Sequence, residues 1–144
     1  VISYRGYVSS MGEAGRPLDP PAPSPRRVFN LGAAVARICK ESPWRVALVA
    51  SSSWSHAFLN EATYRLRPNI EFDRKMFEAL RTGNLTAFRD LPLSALEETG
   101  NAEMLNWCAL AGAMTELGSE CIWADMVETY VLNSSKVAAI FEPA

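Results

Sequence analysis

Two residues of this chain have the type and setting to do chemistry: His56, the only histidine among 144 residues, and Glu103. His56 ends the run Val46-Ala47-Leu48-Val49-Ala50-Ser51-Ser52-Ser53-Trp54-Ser55-His56. The five apolar residues read as a short buried strand, and the serines after them let the chain break into a loop. Ligands of open α/β sheets collect at the carboxyl ends of strands, so this histidine stands where reactions are commonly run. Imidazole is also the side chain best suited to pass protons near neutral pH. The plainer reading is a hydrogen-bonded structural histidine, and spacing alone does not separate the two.

Glu103 opens a regular helical stretch. Steps of four and three from it reach Trp107, Leu110 and Met114, which puts Glu103 at the head of an apolar stripe. An unpaired charge on such a stripe is costly. Either the helix N-terminus compensates it through the helix dipole, or a cation does, carboxylate being a normal ligand for iron, manganese or zinc. Both readings stay open on spacing.

Other candidates carry less. Ser53 and Ser55 flank Trp54 without a G-x-S-x-G elbow. Ser55 and His56 are adjacent, so in extended backbone they point apart and make a poor nucleophile–base pair. Arg26 and Arg27 suit an anionic substrate or a solvated helix start. Trp54, Phe58 and Trp107 suit an aromatic-binding pocket or plain core packing. Asn133-Ser134-Ser135 reads as a turn between two strands, with Ser134 placed to touch a ligand.

The elements that must position these residues follow from local signals. Val1 to Val8 reads as strand without an initiator Met, as in a chain that opens inside an element. Residues 11–25 hold five of the nine prolines and read as an extended surface loop. Ser24 and Pro25 open a helix with Val28, Leu31, Val35 and Ile38 on one apolar face, ending near Lys40. Strand 46–50 comes next, which is α/β grammar. A mixed loop runs on to Pro68. Asp73 then starts a helix with Met76, Phe77 and Leu80 inward and Gly83 closing it. A short turn covers Leu85–Arg89. Ser94-Ala95-Leu96-Glu97 reads as a capping box, with Gly100 as the end of that helix. Asn101 caps the helix from about Ala102 to Leu117, and Gly118 stops it. Met126–Leu132 and Lys136–Phe141 read as strands.

Bulk properties narrow the class. With 49% apolar and 21% charged residues the composition is ordinary for a globular protein, and residues 1–144 read as a single domain. A net charge of −2 without a basic block argues against nucleic acid as a partner. No apolar run reaches the roughly 18 residues of a membrane span, and no signal peptide is visible. Cys39, Cys108 and Cys121 show no C-x-x-C spacing, which suggests reduced thiols and a cytoplasmic setting.

Three stretches together resemble one family: Pro23-Ser24-Pro25-Arg26-Arg27, Ser51-Ser52-Ser53-Trp54-Ser55-His56-Ala57-Phe58, and Asn101-Ala102-Glu103-Met104-Leu105-Asn106-Trp107 with Ala111-Gly112-Ala113-Met114. They resemble the C-terminal half of class III extradiol ring-cleavage dioxygenases, the group that holds the catalytic subunit of protocatechuate 4,5-dioxygenase. The likeness runs from about Ser3 to Phe141.

The resemblance implies an α/β fold with a central mixed sheet flanked by helices, this chain supplying about half of the family domain. It also implies a non-haem Fe(II) held by two His and one Glu, with positions open for substrate and O₂. Glu103 matches the family's Glu ligand. His56 matches its acid–base histidine, and the implied substrate is a catechol-type aromatic opened with both atoms of O₂. Trp54 and Ser134, singled out above from the residues and not from the resemblance, are the candidates for contact with such a substrate. With His56 so assigned, no histidine remains for the other two ligand positions. They are expected outside this chain, in a missing N-terminal half or on a partner chain of an oligomer. A non-catalytic subunit or interaction module of the same fold is the alternative.

Overall fold

The structure, a computed structural model, describes residues 22–60, 63–129 and 131–143. The strand expected at Val1–Val8 and most of the proline-rich loop at 11–25 lie outside the described residues. Five α-helices and a two-stranded antiparallel sheet make the described part an α/β fold.

Helix α1 spans Pro25–Glu41. Ser24 caps it as expected, its hydroxyl accepting the Arg27 N–H at 3.3 Å, with Pro25 preset for the first turn. Its buried face differs from the expected one. Val28 is buried, but Leu31, Val35 and Ile38 are exposed, and Phe29, Gly32 and Ala36 face the core instead.

The reason lies in the partner helix α5, Met104–Leu117, against which α1 packs. A Cβ on Gly32 would lie 1.8 Å from the Ala109 carbonyl oxygen, and one on Gly112 would lie 1.9 Å from that of Phe29. The two helices therefore meet backbone to backbone through a reciprocal pair of glycines, and the bulky residues of α1 are turned away.

Helix α5 is not the one-sided helix that its apolar stripe suggests. Met104, Leu105, Trp107, Cys108, Ala111, Gly112, Ala113 and Met114 are all buried, so it is wrapped on most sides, as apolar-all-round helices are. Leu110 of the expected stripe is only partly buried. Glu103, not Asn101, occupies the N-cap position, and no side chain caps this end. Gly118 closes the helix at φ 65°, as expected.

The remaining helices surround this centre. Helix α2 spans Ile70–Arg81, and it starts at Asn69, whose side chain accepts the Phe72 N–H at 3.1 Å. Asp73 is thus a residue of its first turn and not its start. Met76 and Leu80 are buried, Phe77 partly so. The turn expected at Leu85–Arg89 is the short helix α3, Thr86–Arg89. Helix α4 spans Leu93–Glu98 behind Pro92 and lacks a side-chain cap, so the expected capping box does not form. With the helix beginning at Leu93, Ser94 lies inside the first turn and cannot cap it.

Strands β1, Glu120–Val127, and β2, Lys136–Glu142, pair antiparallel from Glu120↔Glu142 to Val127↔Lys136, with an irregularity between Cys121 and Trp123. β1 begins six residues earlier than the expected Met126, straight after the Gly118 stop. Val137, Ala139 and Phe141 of β2 turn toward the core while Lys136, Ala138 and Ile140 alternate outward. Val46–Ala50 joins no strand ladder among the described residues, and Val46 and Val49 are exposed. The strand expected there finds no described neighbour to pair with, and apolarity alone does not make a strand without one. No described helix is long and apolar enough to cross a membrane.

Candidate functional site

Three loop segments converge on His56. Its own segment, 53–56, leads into a short 3-10 turn over Ala57–Leu59. The second, 99–103, leaves α4 and enters α5. The third, 133–135, precedes β2. Main-chain hydrogen bonds join all three: His56 N–H to Gly100 O at 3.0 Å, Trp54 N–H to Ser135 O at 3.3 Å, and Ala57 N–H to Asn133 O at 2.8 Å. His56 and Ser134 form an isolated antiparallel bridge. Gly100 is required twice, for its φ of 69° at the end of α4 and because a Cβ there would lie 2.7 Å from the His56 carbonyl oxygen.

Glu103 is partly buried just ahead of α5, and its Oε2 accepts the Ser53 N–H at 2.9 Å. Sequence reasoning missed Lys136, which stands at the same place. Its Nζ donates to Ser134 Oγ at 2.6 Å and to Ser53 Oγ at 3.1 Å. Ser53 therefore faces the carboxylate with its N–H and the ammonium with its hydroxyl. No local signal marks Lys136, because its role depends on a strand start meeting a loop more than eighty residues earlier.

The His56 ring is half-buried and lies 5.0 Å from the Phe58 ring. Burial lowers its pKa from the ordinary 6.5; the charge of Glu103 opposes that, Lys136 adds to it, and Asp73 opposes it. The imidazole is therefore neutral at neutral pH and free to take a proton.

Ser55 points the other way from His56, into the protein. It is fully buried, its hydroxyl donating to Asp73 Oδ2 at 2.5 Å and accepting the Asn69 N–H at 2.9 Å. It is engaged in holding α2, which removes it as a nucleophile for His56. Asp73 is wholly buried too, and burial raises its pKa against the opposing effect of Ser55, Ser135 and Asn101. Local sequence marks it only as a helix start, because its partners lie 18 and 28 residues away.

Trp54 has no exposed surface and packs edge-on against Trp107, with ring centroids 5.6 Å apart. Its expected place lining a substrate site gives way to core packing, since the ring presents no face to a ligand. Ser134 is 1% exposed and already hydrogen-bonded to Lys136. Arg26 pairs with Asp90 at 3.4 Å, away from the three segments. Cys39, Cys108 and Cys121 are free thiols.

Among the described residues no three His, Cys, Asp or Glu side chains gather to hold a metal ion. Glu103 stands as a single carboxylate donor beside one histidine. The arrangement can exchange a proton at His56, offer one carboxylate ligand, and offer a cation to an anionic group.

No curated protein matches this chain. Residues 18–139, which include all three segments of the site, match the family described as the catalytic LigB subunit of aromatic ring-opening dioxygenase, and the chain belongs to that family.

Proposed function

We propose that this chain supplies the C-terminal share of an extradiol active site, similar to that of the protocatechuate 4,5-dioxygenase β subunit, which opens a catechol-type aromatic with O₂. The observation that carries the reading is the meeting of His56 and Glu103 on one hydrogen-bonded frame, with Ser53 N–H on the carboxylate and Gly100 O on the histidine backbone.

In this reading His56, neutral because burial disfavours its charged form, accepts the proton of a catechol hydroxyl and returns it as the ring opens. Ser53 and Ser134 hold Lys136 where an anionic substituent of the ring would find a cation. Glu103 would be one ligand of a non-haem Fe(II). The donor set of the described residues does not fit a complete three-ligand iron site. Since His56 is the only histidine, two further His ligands come from outside this sequence, from another part of the protein or a partner chain of an oligomer. The three free thiols favour a reducing, cytoplasmic setting.

The incomplete donor set favours a second reading, a non-catalytic subunit of the same fold. Glu103→Gln in the assembled enzyme separates them, with iron measured by elemental analysis and ring opening by the semialdehyde product of protocatechuate. A ligand Glu103 predicts loss of iron and activity together with the fold retained. Full iron and normal ring opening would end the ligand assignment, and wild-type protein that opens no ring would favour the non-catalytic subunit.

A further inference from the structure

The buried carboxylate of Asp73 takes no part in the chemistry proposed above, yet it touches both segments that carry it. Asp73 sits in the first turn of α2 at 0% exposure. Its Oδ1 accepts the Ser55 N–H at 3.3 Å and Asn101 Nδ2 at 3.5 Å, and its Oδ2 accepts the Ser55 hydroxyl at 2.5 Å. Ser55 immediately precedes His56, and Asn101 stands two residues before Glu103.

A buried carboxylate is costly unless its oxygens are hydrogen-bonded, and here the donors Ser55 and Asn101 come from loop segments of the site rather than from its own helix. Asn101 is held in turn by Thr99 Oγ1 at 3.0 Å, and its carbonyl accepts the Met104 N–H at 3.1 Å, where α5 begins. Ser55 is fixed from a third direction by the Asn69 N–H. Among the described residues Asp73 is the one carboxylate bonded to both Ser55 and Asn101, and through them a change at it reaches the main chain of the His56 segment and of the Glu103 segment. Ser55 and His56 alternate along extended backbone, so holding Ser55 inward sets where the imidazole points outward.

We propose that Asp73 is a positioning residue, which through Ser55 and Asn101 fixes the placing of His56 relative to Glu103. The inference rests on the ring-opening reading of this site. A misplacement of about 1 Å can cost on the order of a hundredfold in rate, which is the scale on which such a residue acts.

The test compares iron-loaded assembled enzyme carrying Asp73→Asn, His56→Gln, or both, with protocatechuate as probe. Asp73→Asn keeps size and one acceptor, and is expected to lower kcat between about tenfold and a hundredfold with KM little changed. In the His56→Gln background the same change is expected to cost nothing further. Full kcat in Asp73→Asn overturns the proposal, and so does an equal loss in both backgrounds, which would mark a merely structural role. Where Asp73→Asn fails to fold, Ser55→Ala in the same two backgrounds decides by the same pattern. A second readout is independent of turnover: the NMR signal of the one imidazole in metal-free protein with this chain labelled on histidine. Asp73→Asn should move it, and the exposed Arg81→Gln should not. A moved imidazole in a protein that opens no ring would sink the ring-opening reading and leave the positioning intact; an unmoved imidazole overturns the positioning itself.

Discussion

Gly112→Ala puts the backbone contact between α1 and α5 to a quantitative test. The added Cβ would sit 1.9 Å from the Phe29 carbonyl oxygen, where ordinary contact begins at 3.4 Å, a shortfall of roughly 1.5 Å. The opposing atom is main chain and cannot rotate away, so the helices must separate or shift along each other. That movement loosens Val28, Phe29 and Ala36 against Cys108 and Ala111, all at 6% exposure or less. Overpacking of a tight core costs about 1–3 kcal/mol, and a clash with backbone on a central helix belongs at the top of that range. Chemical unfolding in urea followed by tryptophan fluorescence reads the effect. With a slope near 2 kcal/mol per M, a loss of about 3 kcal/mol lowers the midpoint by about 1.5 M. Gly83→Ala is the contrast: nothing lies within 4 Å, and only its φ of 76° opposes a side chain, worth about 1–2 kcal/mol. Gly32→Ala should behave like Gly112→Ala, and the double variant should lose less than the sum, because helices once parted accept the second methyl more easily. A midpoint in Gly112→Ala equal to wild type would refute the backbone-to-backbone contact.

Other outcomes follow from the site and the core. His56→Gln in the assembled enzyme should keep iron and lose about 10² to 10⁴-fold in turnover; a variant lacking iron would mean that His56 is a ligand. Because burial holds the His56 pKa below 6.5, the acid limb of kcat/KM should lie below pH 6.5, with activity lost as the pH falls through it and the imidazole gains its proton; a limb above 6.5 contradicts the burial argument. Folding stability carries the same sign, since the unfolded histidine binds the proton more readily and the folded state weakens as pH drops from 6.5 through the lowered pKa. Lys136→Met should raise KM for protocatechuate about tenfold or more and leave KM for unsubstituted catechol unchanged, a charged hydrogen bond being worth about 1.5–3 kcal/mol; equal effects on both substrates would remove its role toward an anion. Cys108 is fully buried with its thiol pushed up to about 12, so a thiol reagent at pH 8 should titrate at most two of the three cysteines before unfolding.

Much of the helical frame was legible because its signals are local. Ser24 with Pro25, Gly83, Gly100 and Gly118 mark ends through their own φ preferences or side-chain bonds, and the structure puts a helix boundary beside each. The buried face of α1 was not legible, because pattern reading weighs large apolar residues. It cannot see that Gly32 and Ala36 face the core because they lack bulk. The strand expected at 46–50 and the start of β1 failed for a related reason: strands are defined by neighbours, and the sequence of one segment does not name its neighbour. At the site, Glu103 and His56 were picked out by type and by family likeness rather than by geometry. Lys136 and the buried role of Asp73 depend on pairings across 83 and 18 residues, which no window along the chain contains.

The three main-chain bonds that lace segments 53–57, 99–103 and 133–135 use amide and carbonyl groups only. A frame of that kind depends little on the side chains it displays outward, apart from Gly100, where a Cβ has no room, and Asn133, whose φ of 56° few residues other than Asn and Gly adopt. An outward position such as Lys136 can be exchanged while the main-chain bonds under the histidine stay put. The fold thus divides the holding of His56 and Glu103 between these main-chain bonds and the buried Ser55, Asp73 and Asn101 side chains, and leaves the exposed Lys136 outside both. Under the proposed function, exchange at Lys136 would change the preference for a ring substituent with no need to rebuild the core, while the buried Ser134 and Ser135 stay as they are.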